Sequence, residues 1–258
     1  MPHEELQLPA RVLVTGAAGG IGAALVGRLT RAGVEVIATD RCEEPSRALQ
    51  GSGAGRWIRA DVGARAGREA LVEATRSLGV GPLGGVVHVA GILDAAGWDT
   101  IDESQVEHLF AVNLLAPFFL TRALLPLLAT DASVVLLGSV AGLRASPRTL
   151  FYAASKAALR NLGASLAVAL QPHGVRVNVV APGLIETPLT RGLNQQLARE
   201  RGVSVGQIEA ERLQPIPAGR AGTVDEVVSA CLFLLSPTSA YCTGMTLHPT
   251  GGVMAGVI

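Results

Sequence analysis

Short runs of branched apolar residues recur along this chain, and nearly every one is followed by a stretch with helical spacing. This alternation constrains the fold most strongly, because strands joined through helices run parallel with right-handed crossovers. The runs fall at residues 11–15 (RVLVT), 34–39 (VEVIAT), 56–60, 85–89 (GVVHV), 133–138 (SVVLLG), 175–180 (VRVNVV) and 245–248. Helical spacing falls at 20–32, 65–78, 103–128, 151–170 and 223–235. Pro117 removes a backbone donor inside the third of these and predicts a bend there. Residues 184–216 carry no strong strand pattern and read as a helical, mobile excursion. The pattern predicts an α/β protein with a doubly wound parallel sheet of about seven strands, helices on both faces, and a single domain over 11–258 after an arm at 1–10.

Composition narrows the classes. A chain of 258 residues buries a sizeable core. Hydrophobic residues make up 49% of it and aromatics 3%, so the core is built from Ala, Val, Leu and Ile. Lys plus Arg and Asp plus Glu both number 21; without a basic excess, nucleic acid is not an expected partner. The three cysteines have neither disulfide-framework nor zinc-ligand spacing, which suits a reducing compartment and predicts no metal. No basic segment followed by an apolar run opens the chain. No uninterrupted apolar run reaches the roughly 18 residues of a membrane span. A soluble, cytoplasmic protein is expected.

The first strand runs into Thr15-Gly-Ala-Ala-Gly-Gly-Ile-Gly22. A strand-to-helix turn rich in glycine lets backbone N–H groups approach a pyrophosphate, with the positive end of the helix dipole aimed at it. Gly16, Gly19, Gly20 and Ile21 are therefore expected to hold a dinucleotide. Asp40 ends the second strand, where a carboxylate accepts hydrogen bonds from ribose hydroxyls and repels a 2′-phosphate, favouring NAD over NADP. Arg41 follows it and is a residue type that accommodates that phosphate. Asp61 and Val62, after the third strand, are placed to meet the adenine, although Asp61 also suits a helix N-cap.

Tyr152 and Lys156 stand at i and i+4, on one face of a helix. A free phenol has a pKa near ~10, and a neighbouring ammonium favours tyrosinate. Acid–base catalysis gains as that pKa approaches the working pH. Ser139 ends the fifth strand with a hydroxyl that can hold a substrate oxygen beside the phenol.

With these residues in order, the sequence resembles the short-chain dehydrogenase/reductase family over nearly its whole length. The family's TGxxxGxG motif matches Thr15, Gly16, Gly20 and Gly22, and its Asn-Ser-Tyr-Lys set matches Asn113, Ser139, Tyr152 and Lys156. Its Pro-Gly motif matches Pro182-Gly183, with Ile185 and Thr187 at positions that contact the nicotinamide. The resemblance implies a Rossmann-like fold and hydride transfer between NAD(H) and a secondary alcohol or ketone. Tyr152 would be the acid or base, and Lys156 would hold the nicotinamide ribose and lower the Tyr152 pKa. Ser139 would polarise the carbonyl, and Asn113 would place a water in a proton relay to Lys156.

The family's Asn-Asn-Ala-Gly reads His88-Val89-Ala90-Gly91 here. Ala90 and Gly91 keep the close approach to cofactor, while His88 is expected to be structural. Substrate contacts are expected from 91–98, 140–150 and 184–216. Leu143, Trp98, Leu184, Leu189 and Leu193 would form an apolar wall, or Arg144, Arg148 and Arg191 would meet an anion. The alternatives are an NADP-dependent 3-ketoacyl reductase, or a non-catalytic cofactor-binding sensor on the same fold. The helices at 103–128 and 151–170 resemble those that pair in the family's dimers, which implies a homotetramer.

Overall fold

The computed structural model describes residues 6–44, 55–93 and 98–255. Residues 1–5 of the expected arm and 94–97 of the expected substrate segment lie outside them.

Among the described residues, seven parallel strands form one sheet in the order β3-β2-β1-β4-β5-β6-β7. They are β1 (Arg11–Thr15), β2 (Glu35–Asp40), β3 (Gly55–Arg59), β4 (Leu83–His88), β5 (Leu128–Leu137), β6 (Arg176–Val180) and β7 (Thr246–Leu247). Alternation along each strand sends side chains to opposite faces, and both faces are covered. Leu13, Val86, Val134 and Leu136 share one buried cluster with Leu71, Leu120 and Leu159. Val12, Val14, Val87 and Val135 share the other with Leu25, Leu29, Val228 and Leu232. A sheet buried on both sides explains why its strands read as continuous apolar runs. The fold is the doubly wound, Rossmann-like α/β architecture expected from the alternation.

Helices α1 (Gly20–Arg31) and α2 (Arg65–Ser77) follow the predicted spans closely. The predicted helix at 103–128 does not form as one element. It divides into α3 (Glu103–Phe110), a π-turn (Ala111–Leu115), α4 (Ala116–Leu124) and a 3₁₀ turn (Leu125–Leu127). Pro117 sits in the first turn of α4, where its missing N–H costs least; the wider π-turn ahead of it is the local irregularity. β5 then starts at Leu128, five residues before the predicted run. The stretch Glu103–Leu127 is long and apolar enough by composition to cross a membrane, although polar residues break its apolar run. Its apolar face is spent on the sheet instead, with Leu109, Leu120 and Leu124 fully buried.

Helix α5 (Leu150–Ala169) carries the Tyr-Lys pair. The 184–216 excursion is helical as expected, with α6 (Pro188–Arg201) capped by Thr187 and α7 (Val205–Leu213) opened by a Ser204–Gln207 capping box. Its root is pinned by a bridge between Ile185 and Gly222. Thr223 and Glu226 form a capping box at the start of α8 (Val224–Leu235).

His88 is buried, with Nε2 2.9 Å from the Thr121 hydroxyl on α4. It ties β4 to the helix layer and matches the structural role expected for it. Burial pushes its pKa down from 6.5 to about 3, so the folded state holds the ring neutral while an unfolded chain would protonate it. The unfolded state therefore binds more protons between those two values, and stability falls as pH drops from about 6.5 towards 3, by roughly 1.4 kcal/mol per unit. His88→Asn removes that component. Urea unfolding from pH 7 to pH 4 is expected to show a shallower loss for the variant, and parallel curves would contradict the assignment.

Candidate active site

β1 and β4 are neighbours whose following connections leave to opposite faces of the sheet. In open α/β sheets that divergence opens a crevice at the strands' carboxyl ends. Here a cleft of about 580 Å³ lies at these ends. Gly16, Gly19, Gly20, Ile21, Asp40, Arg41, Asp61, Val62, Ala90, Gly91, Pro182, Gly183, Ile185 and Thr187 all line it, together with Ser139, Tyr152 and Lys156.

The glycine turn fits a dinucleotide. Gly16 has φ +66°, and a Cβ there would lie 2.6 Å from the Ala90 backbone nitrogen. The N-cap of α1 is Gly19, with no side chain capping the helix, so its leading amides are left for an anion. The Thr15 hydroxyl accepts from the Ala90 N–H at 3.2 Å and fastens the two strand ends together.

Asp40 closes the adenosine end. Its carboxylate accepts from Ala18 N–H at 3.0 Å and from Arg41 N–H at 2.7 Å. These bonds aim the group into the cleft and leave lone pairs for further donors. Arg41 lines the same end, and its carbonyl accepts from Arg59, which also pairs with Glu43 at 2.7 Å. Asp61 accepts from Gly63 N–H at 2.9 Å; it is not the helix cap, since Ala64 occupies that position of α2.

At the other end, Ser139 caps a short 3₁₀ turn, its Oγ accepting from Ala141 N–H at 3.1 Å. Burial pushes the Tyr152 phenol pKa up from 10, and a hydrogen bond with Ser139 pulls it back. Lys156 is buried and donates from Nζ to the Leu137 carbonyl at 2.8 Å. Its nitrogen lies 5.7 Å from the centre of the Tyr152 ring. Burial lowers its pKa from 10.5 to about 8, which still leaves it mostly charged at pH 7. In this geometry burial raises the phenol's pKa and Ser139 opposes it, while Lys156 is tied to the Leu137 carbonyl.

Asn113 is the one member of the set of four that does not line the cleft. It is fully buried in the π-turn, with Oδ1 accepting from Ile92 N–H and Nδ2 donating to Ile92 O, both at 2.9 Å. Nδ2 also donates to the Ser155 hydroxyl at 3.2 Å.

Sequence reasoning missed Cys42, His108 and Val112, which also line the cleft, whereas Ile92 lines it from within the expected 91–98 segment. His108 and Val112 are four apart on successive helical turns, a spacing visible in the sequence once the helix is placed. Of the residues expected to touch substrate, Leu189 lines the cleft and is 52% exposed. Arg148 turns away to pair with Glu200 on α6 at 3.1 Å.

A family model described as Enoyl-(Acyl carrier protein) reductase matches residues 16–254. The chain is 33% identical to the 3-oxoacyl-(acyl-carrier-protein) reductase of Escherichia coli, over 93% of this chain and 96% of that protein. It is 32% identical to 2-(S)-hydroxypropyl-CoM dehydrogenase 3 of Xanthobacter autotrophicus, over 95% and 96%. A solved short chain dehydrogenase family protein from Francisella tularensis matches with a TM-score of 0.88 at 28% identity, covering 95% of this chain and 99% of that one. The chain belongs to the short-chain dehydrogenase/reductase family. It is an NAD(P)-dependent oxidoreductase acting on CH–OH groups.

Proposed function

We propose that the protein prefers NAD and interconverts a secondary alcohol and its ketone, with Tyr152 as the proton-transfer residue. The observation that carries this reading is the convergence of Ser139, Tyr152 and Lys156 at one end of a cleft whose other end is closed by Asp40. When bound, the nicotinamide supplies or accepts the hydride. Tyr152 Oη gives a proton to the nascent alkoxide in reduction and takes one from the alcohol in oxidation. Ser139 Oγ holds the substrate oxygen beside the phenol. Lys156 keeps two Nζ donors beyond the one given to Leu137, and these face the cleft for ribose hydroxyls. Asn113 serves from behind, fixing Ile92 and the π-turn; its amide is committed there, and a relay water would be held by the neighbours it places.

The phenol, pushed up by burial, keeps its proton at neutral pH, the form that reduction needs. Oxidation draws on the phenolate, so its rate is expected to rise as pH increases above neutrality. Assaying a panel of alcohols and ketones by nicotinamide absorbance tests the reading, with Tyr152→Phe as control. A loss of 10²-fold or more is expected from removing the acid–base group. Turnover at the wild-type rate in Tyr152→Phe would contradict the assignment. A silent panel would favour the cofactor-binding sensor.

NAD preference rests on the Asp40 carboxylate, against which a 2′-phosphate would be placed. The rival, an NADP-dependent 3-ketoacyl reductase, is favoured by Arg41 at the same end and by the likeness to the Escherichia coli enzyme. Dissociation constants separate them. NAD is expected to bind at least tenfold more tightly than NADP, and Asp40→Ala to narrow that gap; tighter NADP binding by the wild type would overturn the preference.

A homotetramer in the cytoplasm completes the reading. Leu115 and Val168 leave apolar side chains 43% and 77% exposed on the two helices expected to pair. The free thiols Cys42, Cys231 and Cys242 suit a reducing setting. Light scattering is expected to give four times the chain mass of 26.5 kDa; a monomer would contradict the assembly.

A further inference from the structure

Ser155 lies between Tyr152 and Lys156 on α5 and is completely buried. It does not line the cleft, and proton transfer by Tyr152 gives it no direct task. Yet its hydroxyl has two partners. It donates to the Tyr152 carbonyl at 2.8 Å and accepts from Asn113 Nδ2 at 3.2 Å. Asn113 in turn holds both the N–H and the C=O of Ile92. A continuous buried chain therefore runs from the loop after β4, through the π-turn, to the backbone of Tyr152 itself.

Both features at its ends are irregular. The π-turn widens the helix at Asn113, an irregularity of a kind frequent at functional sites. Helix α5 has no side-chain cap at Thr149, so its first turn, which carries Tyr152, lacks the usual anchor. Ser155 supplies a cross-link where the two meet.

We propose that Ser155 is a positioning residue, whose hydroxyl couples Asn113 to the first turn of α5 and so holds the Tyr152 phenol in register with Ser139. This rests on the reading of Tyr152 as the proton-transfer residue. Without the hydroxyl, one Asn113 N–H is left buried and unpaired, and the turn carrying the phenol is freed to shift. A displaced phenol loses the Ser139 hydrogen bond that favours its ionised form. Small misplacements of a reacting group cost rate more than binding.

The chain has only two tyrosines, and Tyr241 is fully exposed. In a Tyr241→Phe background, the ultraviolet absorbance of tyrosinate therefore reports Tyr152 alone and needs no substrate. Ser155→Ala is expected to raise the titration midpoint by about one unit and lower kcat about tenfold, with NAD affinity within twofold of the parent. Ser155→Thr keeps the hydroxyl and is expected to stay closer to the parent on both measures. An unchanged midpoint and kcat in Ser155→Ala would overturn the proposal. So would a Ser155→Thr variant as impaired as Ser155→Ala, which would mark packing instead of the hydroxyl as the cause. Tyr152→Phe run alongside separates the two claims. Full turnover there sinks the reading of Tyr152, while the titration still reports whether Ser155 holds the phenol.

Discussion

The close approach of the Gly16 turn to the backbone at Ala90 is the contact on which the rest of this structure depends. β1 and β4 lie side by side, but the chain leaves them towards opposite faces of the sheet. A side chain at Gly16 would occupy the space of the Ala90 peptide. The Thr15 hydroxyl bonds across the same gap. With that gap closed, the amides at the start of α1 and the turn at Ala90-Gly91 face one crevice, and every other part of the cleft is arranged around it.

The catalytic end obeys a different constraint. Burial works against charge on both Tyr152 and Lys156, raising one pKa and lowering the other. A hydrogen bond with Ser139 opposes it at the phenol, and the ammonium donates to the Leu137 carbonyl. Such bonds act only while the side chains stay in place. The buried run from Ile92 through Asn113 to Ser155 fixes the helix turn that carries Tyr152. Geometry behind the cleft thereby sets chemistry within it.

The sheet was legible in the sequence because both its faces are buried, which leaves unbroken branched runs at 11–15, 85–89 and 175–180. The glycine turn was legible because its chemistry demands residues without side chains. The division of 103–128 was not. Ala111–Leu115 has ordinary helical residues, and nothing in AVNLL announces a π-turn; the Asn113–Ile92 hydrogen bonds that accompany it join residues 21 apart. The start of β5 at Leu128 was hidden for a related reason, since Thr130 and Asp131 interrupt the apolar run where the strand is still at the edge of the core. The Ser204–Gln207 capping box has a local signal, a Ser followed three residues later by a Gln. The partnership of Asn113 with Ser155 joins residues 42 apart and has no local signal at all.

At the centre stands a single claim: hydride moves between a nicotinamide in this cleft and a carbinol carbon held beside Tyr152. Isotope transfer tests it most directly. The protein would be incubated with NAD and a panel of secondary alcohols deuterated at the carbinol carbon, and the reduced cofactor examined by mass spectrometry. Deuterium is expected in the reduced nicotinamide with at least one alcohol, and its loss is expected in Tyr152→Phe. Cofactor that stays unlabelled across the panel, or labelling that persists undiminished without the phenol, would contradict it.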